Sequence, residues 1–173
     1  MTDPVLRPIG SFVAPEEWTT DWRTQQIQRI AQFPETLSAL LAALKPEDWH
    51  RTYRPGSWTV QQIVHHLGDS HLNAYQRFKL ALTETEPHIC PYDENRWAEL
   101  PDVYALDPAV SLQLLHALHL RWVATAKTLS PSDWERNFYH PGYERYFSLQ
   151  YQMGMYAWHG EHHLAQIRNA LKP

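Results

Sequence analysis

Apolar residues recur along this chain in steps of three, four and seven over four separate stretches, the spacing of helices that bury one face. The first stretch, about 16–44, carries Ile27, Ile30, Leu37, Leu40, Leu41 and Leu44. Pro34 falls in its middle, where a ring without an N–H kinks or restarts a helix, so a long, broken helix is expected. The second opens at "GSWTV", where Ser57 or Thr59 can cap, and runs to about Thr83 through Val60, Val64, Leu67, Ala74, Phe78 and Ala81. The third begins near Pro108 and continues through "AVSLQLLHALHLRWVATAKTL". The fourth, about 148–171, has a seam of Leu149, Met153, Ala157, Gly160, Leu164, Ile167 and Leu171.

The connections are informative too. "EPHICPYDENRWAELPDVYALDP" is long, aromatic and proline-rich, and suggests a flap that covers something. "RNFYHPGYERYFSL" has the aromatics and turn signal of a small β-hairpin before the last helix. "LKPEDWHRTYRPG", from Leu44, is echoed 85 positions later by "LSPSDWERNFYHPG", from Leu129, each copy leading from an odd helix into an even one. Two helix-loop-helix halves packed as a pseudo-symmetric bundle explain the echo, and convergent loop chemistry is the alternative. The expected fold class is all-α, a four-helix bundle with a long connecting loop and a small hairpin, as one domain over residues 1–173.

Charge and composition narrow the function. A formal charge of -4, with basic residues scattered, lacks the positive footprint that nucleic-acid binding needs. The start "MTDPVLRPIG" is unlike a secretory signal, and no stretch approaches the roughly 20 apolar residues of a membrane span, so a cytoplasmic protein is expected. A single cysteine, Cys90, excludes an intrachain disulfide and a thiolate-based zinc site, and it has no neighbouring base to make it a nucleophile. Eleven histidines are the excess that points to chemistry, since neutral imidazole is the commonest protein ligand for first-row metals.

Three of the eleven share a position relative to the seams. In "YAWHGEHHLAQI", His159 precedes seam residue Gly160 and His163 precedes Leu164, four residues on and one turn away. In "IVHHLGDSH", His66 precedes seam residue Leu67. If the even helices face each other, the three imidazoles meet and leave a coordination position for water or substrate. Gly160, at a cost of about 1 kcal/mol in helix propensity, lets a backbone or ligand approach closely. His65 and His162 point away from this focus and read as surface residues; His71 falls in the seam and reads as a buried, hydrogen-bonded core group. His88, His116, His119 and His140 have no distinguishing spacing. Asp69 can orient His66 as a hydrogen-bond acceptor or lie solvated, and Tyr156 can donate into the site or simply pack.

The motifs "GSWTVQQIVHHLGDSH", "PYDENRWAELPD", "LHLRWV" and "YAWHGEHHLAQI", in this order, resemble the DinB-like superfamily, and within it the YfiT-like group of metal-dependent hydrolases, some of which are bacillithiol S-transferases. The resemblance runs from about Pro4 to Leu171. It implies an up-and-down-type four-helix bundle, a homodimer, and one divalent ion per subunit, Zn2+ or Ni2+. The family's ligands fall on His66, His159 and His163.

Three neutral imidazoles leave a dication's charge uncompensated, which suits two chemistries: metal-bound hydroxide for hydrolysis, or a metal-bound thiolate attacking an electrophile. The resemblance favours the second, with a low-molecular-weight thiol and a small electrophile as partners. Glu161 points off the ligand face, against a zinc-protease arrangement. Tyr92, Asp93, Glu94 and Trp97 are candidates for covering the electrophile's pocket. The non-catalytic alternatives are a structural, storage or sensing metal site, or an apolar-ligand carrier built on the eight tryptophans and the gap at Gly160. A structural site would need a fourth protein ligand, and none stands out.

Overall fold

The computed structural model describes residues 7–172; Met1–Leu6, within the proline-bearing start, and Pro173 lie outside the described residues. Four long helices carry the fold: α1 (Thr20–Leu41), α2 (Val60–Thr83), α5 (Ala109–Ala126) and α7 (Leu149–Ala170). Three short ones, α3 (Glu94–Trp97), α4 (Pro101–Ala105) and α6 (Pro131–Trp134), lie in the connections, with the antiparallel hairpin β1 (Asn137–His140) and β2 (Arg145–Ser148) before α7. Of the two cap candidates for α2, Thr59 is used: its hydroxyl accepts from Gln62 N while Gln62 Oε1 accepts from Thr59 N, a reciprocal cap worth about 1 kcal/mol.

Helix α1 is continuous through Pro34, not broken. A proline there withdraws the N–H that would reach the Ile30 carbonyl one turn back. His119 of α5 supplies the missing donor, its Nδ1 lying 2.7 Å from Ile30 O.

Each long helix packs on two others: α1 on α5 and α7, α2 on α5 and α7. Side-chain pairs give the directions. Arg23 to Gln150 and Arg29 to Glu161 run α1 parallel to α7. His65 to Ser111 and His71 to His119 run α2 parallel to α5. His66 to His159 and Ala74 to Gln152 make α2 and α7 antiparallel. The order is therefore up, down, down, up, with helices consecutive in each half set diagonally, and the up-and-down arrangement implied by the resemblance does not hold. The cause is the 84–108 connection: α2 and α5 can be parallel only if the chain returns over the length of α2, about 36 Å at 1.5 Å per residue. Exchanging α1 with α5 and α2 with α7 maps this arrangement onto itself, consistent with two equivalent halves.

The core has two apolar clusters. One, around Phe78, Trp122, Leu149 and Met153, lies toward the hairpin; the other, around Leu37, Ile63, Leu67, Leu115 and Ile167, lies at the opposite end. Between the clusters lie His71, flanked by Leu67 and Ala74 on α2, and His119, beside Leu118 between Leu115 and Trp122 on α5; the two imidazoles are 0% and 1% exposed. A layer of imidazoles thus divides the core.

Candidate metal centre

His66 on α2 and His159 and His163 on α7 converge as the shoulder positions predict. One nitrogen from each lies within 4.8 Å of the others. The Nε2 of His159 is 3.4 Å from that of His66 and 3.1 Å from that of His163. Nitrogens at two corners of a tetrahedron with 2.0–2.1 Å arms are about 3.3–3.4 Å apart, so the spacing fits a single small dication.

The chemistry of the donors fits as well. The Nδ1 of His163 lies 2.8 Å from the amide oxygen of Gln166, which only accepts, so the proton is on Nδ1 and Nε2 is a bare lone pair. Trp58 lies across the rings of His66 and His163, with centroids 4.5 and 6.4 Å away. Burial lowers the pKa of all three imidazoles, that of His66 to about 4, so they stand neutral and ready to ligate. His66 and His163 are buried, His159 is half-buried, and all three line a cleft of about 950 Å³.

The cleft's charged lining is Arg7, Arg77 and Arg145 against the single acid Glu94, a positive mouth on a chain of net charge -4. Pro91, Tyr92 and Glu94 line it, so the long connection contributes to the wall of the cleft, while Asp93 caps α3 and Trp97 backs Tyr92 at 4.5 Å. Tyr156 lines it as well: its hydroxyl lies 3.5 Å from Ser70 Oγ and its ring stands edge-on to His71. Burial raises the pKa of both Tyr92 and Tyr156, keeping their hydroxyls protonated as donors. Glu161 faces away, in an ion pair with Arg29 at 2.6 Å.

Other expectations need correction. His65 and His162 are buried, not surface residues. His65 is wedged against Ser111 at 2.8 Å, and His162 stacks on Trp158 in the cleft wall. Asp69 is half-buried, and no hydrogen bond joins its carboxylate to His66 among the described residues. Desolvation, then the charge of Asp102, raises its pKa to about 6. His71 is the buried, hydrogen-bonded group expected, bonded to His119 at 2.8 Å and to His159 Nδ1 at 3.3 Å. His119 and His140, which spacing does not distinguish, have places here: the first completes this cluster and the second lines the cleft. The signal for His119 was its place among Leu115, Trp122 and Ala126, a polar residue on an apolar seam. Gly160 makes room for Phe33 rather than a ligand, since a Cβ there would lie 2.7 Å from the ring. Cys90 is exposed and outside the cleft lining.

Comparison with known proteins agrees with this fold. The DinB superfamily model matches residues 29–167. "Putative metal-dependent hydrolase YfiT" of Bacillus subtilis is 42% identical over 160 residues, 92% of this chain and 90% of that protein. "Putative metal-dependent hydrolase OB0782" of Oceanobacillus iheyensis is 47% identical over 165 residues, 95% of each. The solved structure of Bacillus subtilis YfiT, described as having "an unusual four-helix bundle topology", superposes with a TM-score of 0.93 at 41% identity, covering 96% of this chain and 95% of that one. A mycothiol-dependent maleylpyruvate isomerase shares the fold at 14% identity, with a TM-score of 0.65 over 83% of this chain and 60% of that one. The chain, with its relatives of the YfiT kind, belongs to the DinB superfamily.

Proposed function

We propose that the chain is a metal-dependent S-transferase that joins a low-molecular-weight, acid-bearing thiol of the bacillithiol type to small electrophiles, with Zn2+ or Ni2+ held by His66, His159 and His163. The observation that carries this reading is the coincidence of neutral imidazole nitrogens with a cleft whose charged lining is three arginines and one glutamate. A dication bound there supplies a Lewis-acidic centre that lowers the pKa of a coordinated thiol below its usual 8.5 or so.

The chain's own residues do the rest. Arg7, Arg77 and Arg145 attract the thiol's carboxylates and orient it. Tyr92 and Tyr156 present protonated hydroxyls to an electronegative atom of the electrophile. The sulfur–carbon bond forms as the bond from carbon to the leaving group breaks, and the thiol's proton passes to solvent. Trp58 and Tyr92 contribute aromatic lining to the cleft, and a substrate seated against them would leave the nucleophile less solvated.

Hydrolysis is the second reading, favoured by the names of the relatives. Glu161, the acid next to the ligand pair in sequence, is held off by Arg29 and is no base for it. Turnover by the zinc- and nickel-loaded chain, with several low-molecular-weight thiols and a chromogenic electrophile, beside ester and amide substrates, separates the two. Thiol-dependent conjugation that saturates with an acid-bearing thiol is expected. Ester or amide cleavage without conjugation would replace this reading with the hydrolytic one.

A further inference from the structure

The imidazole layer has an order that only the acceptor at its far end determines. Ile30 O can only accept, so His119 Nδ1, 2.7 Å away, must carry the proton, leaving His119 Nε2 as a lone pair. That lone pair lies 2.8 Å from His71 Nδ1, which must therefore donate, leaving His71 Nε2 bare. His71 Nε2 in turn faces His159 Nδ1 at 3.3 Å, so the proton of His159 is on Nδ1 and its Nε2 is bare toward His66 and His163. Each bond decides the next, and the chain of decisions starts at the carbonyl that Pro34 leaves without a helical partner.

The surroundings fix the rings as well as the protons. His71 and His119 are almost wholly buried. Phe33 stacks on both, with centroids 5.4 and 5.6 Å away, in the space that Gly160 provides.

We propose that Pro34, through the free Ile30 carbonyl, and the imidazoles of His119 and His71 form a buried positioning relay that sets the tautomer and ring orientation of the metal ligand His159. His71 and His119 touch neither metal nor substrate; they act through His159. A neutral histidine in water favours the proton on Nε2, which in His159 would block ligation, and the relay holds the opposite tautomer in advance.

The proposal rests on the metal reading for its purpose, but not for its test. Long-range 1H–15N correlation spectra of the full-length chain, metal-free and zinc-loaded, report which nitrogen of each imidazole is protonated. His119, His71 and His159 are expected to be Nδ1–H tautomers in both forms. An Nε2–H tautomer or an imidazolium at His71 or His119 near pH 7 would overturn the relay, whether or not the chain takes up zinc. A chain that binds no zinc yet shows the three Nδ1–H tautomers would sink the metal reading and keep the relay.

Two variants test the positioning role. His71→Phe keeps the ring stacked under Phe33 and removes the acceptor; zinc affinity, from competition with a chromogenic chelator, is expected to fall about 10–100-fold with the helical circular dichroism retained. His71→Gln, whose amide can accept from His159 and donate to His119, should recover much of that loss. Pro34→Ala returns an N–H to Ile30 O in competition with His119, so it should raise thermal stability while lowering zinc affinity and mixing the His119 tautomers. Unchanged zinc affinity in both His71→Phe and Pro34→Ala would overturn the proposal.

Discussion

Replacing Gly160 by alanine should destabilise this protein, although the same change stabilises most helices. In isolation the substitution gains about 1 kcal/mol of helix propensity. Here the new Cβ would lie 2.7 Å from Cδ2 and Cε2 of Phe33, a separation that real Cβ contacts do not reach, so the ring must move. Phe33 is only 5% exposed and lies against His71 and His119, so it has no free direction in which to withdraw. Overpacking of this kind costs about 1–3 kcal/mol, which leaves a net loss of up to about 2 kcal/mol. A Phe33→Leu background removes the obstructing ring edge, and there Gly160→Ala should show the propensity gain, a coupling of about 1–3 kcal/mol between the sites. Urea denaturation of the four metal-free proteins measures the cycle. Gly154 provides an internal contrast: its added Cβ would crowd Trp22 still more closely and also meet Phe12 at 3.1 Å, but both rings are half-buried, so each has a solvent side toward which to shift. Gly154→Ala should therefore cost less than Gly160→Ala. A gain of about 1 kcal/mol from Gly160→Ala in the parent chain would refute the packing argument.

His163→Ala should abolish stoichiometric zinc binding while leaving a folded helical bundle, checked by metal analysis after gel filtration and by circular dichroism; full occupancy in that variant would remove His163 from the site. Arg77→Met or Arg145→Met should raise KM for an acid-bearing thiol about 10-fold or more, as expected for losing a charge-assisted hydrogen bond, and leave KM for an uncharged thiol nearly unchanged; equal effects on both would mean the arginines act on structure. The metal-free chain should lose stability on acidification. Burial holds the pKa of His66 and His119 at about 4 and those of His71, His159 and His163 well below 6.5, so below pH 6.5 the unfolded chain binds protons that the folded one refuses. The contribution is whole above about pH 6.5 and is lost as pH falls toward 4. Asp69, raised to about 6, acts in the opposite sense but is one group against five. A urea midpoint that does not fall between pH 7 and pH 5 would contradict this.

What the sequence makes legible here is what depends on one helix at a time. Seam spacing places the four long helices to within a few residues, and "immediately before a seam residue" selects His66, His159 and His163 because one helical shoulder is defined by the helix itself. What stays hidden depends on which helices meet and in which direction. Apolar periodicity is the same for parallel and antiparallel neighbours, so it cannot show that α2 runs beside α5 in the same direction and brings His71 to His119. A single stripe also fails for α2, which is pressed by α5 on one side and α7 on another; Gln62–Gly68 are all buried, and His65 goes inside with them. Pro34 misled for a related reason, since its missing hydrogen bond is made good by a residue 85 positions away.

These hidden features share one origin. The up, down, down, up order seats α5 against both α1 and α2, and only that seat allows His119 to bond the Ile30 carbonyl of one and the imidazole of the other. A simple up-and-down bundle would put α1 beside α2 and set α5 diagonally across from α1, so the proline's orphan carbonyl would need a different donor and the candidate ligand His159 would lose the chain of acceptors that fixes its proton. Dividing an apolar core with a polar layer is costly unless every member is satisfied, because a buried imidazole with one unmet nitrogen costs about 1–3 kcal/mol. Here each imidazole nitrogen of His119 and His71 has a partner, and the series ends at the three Nε2 atoms that face one another. Bare lone pairs 3.1 Å apart repel, and a cation between them would turn that repulsion into binding. The topology, the proline and the histidine layer thus form one arrangement, whose open end is the candidate metal centre.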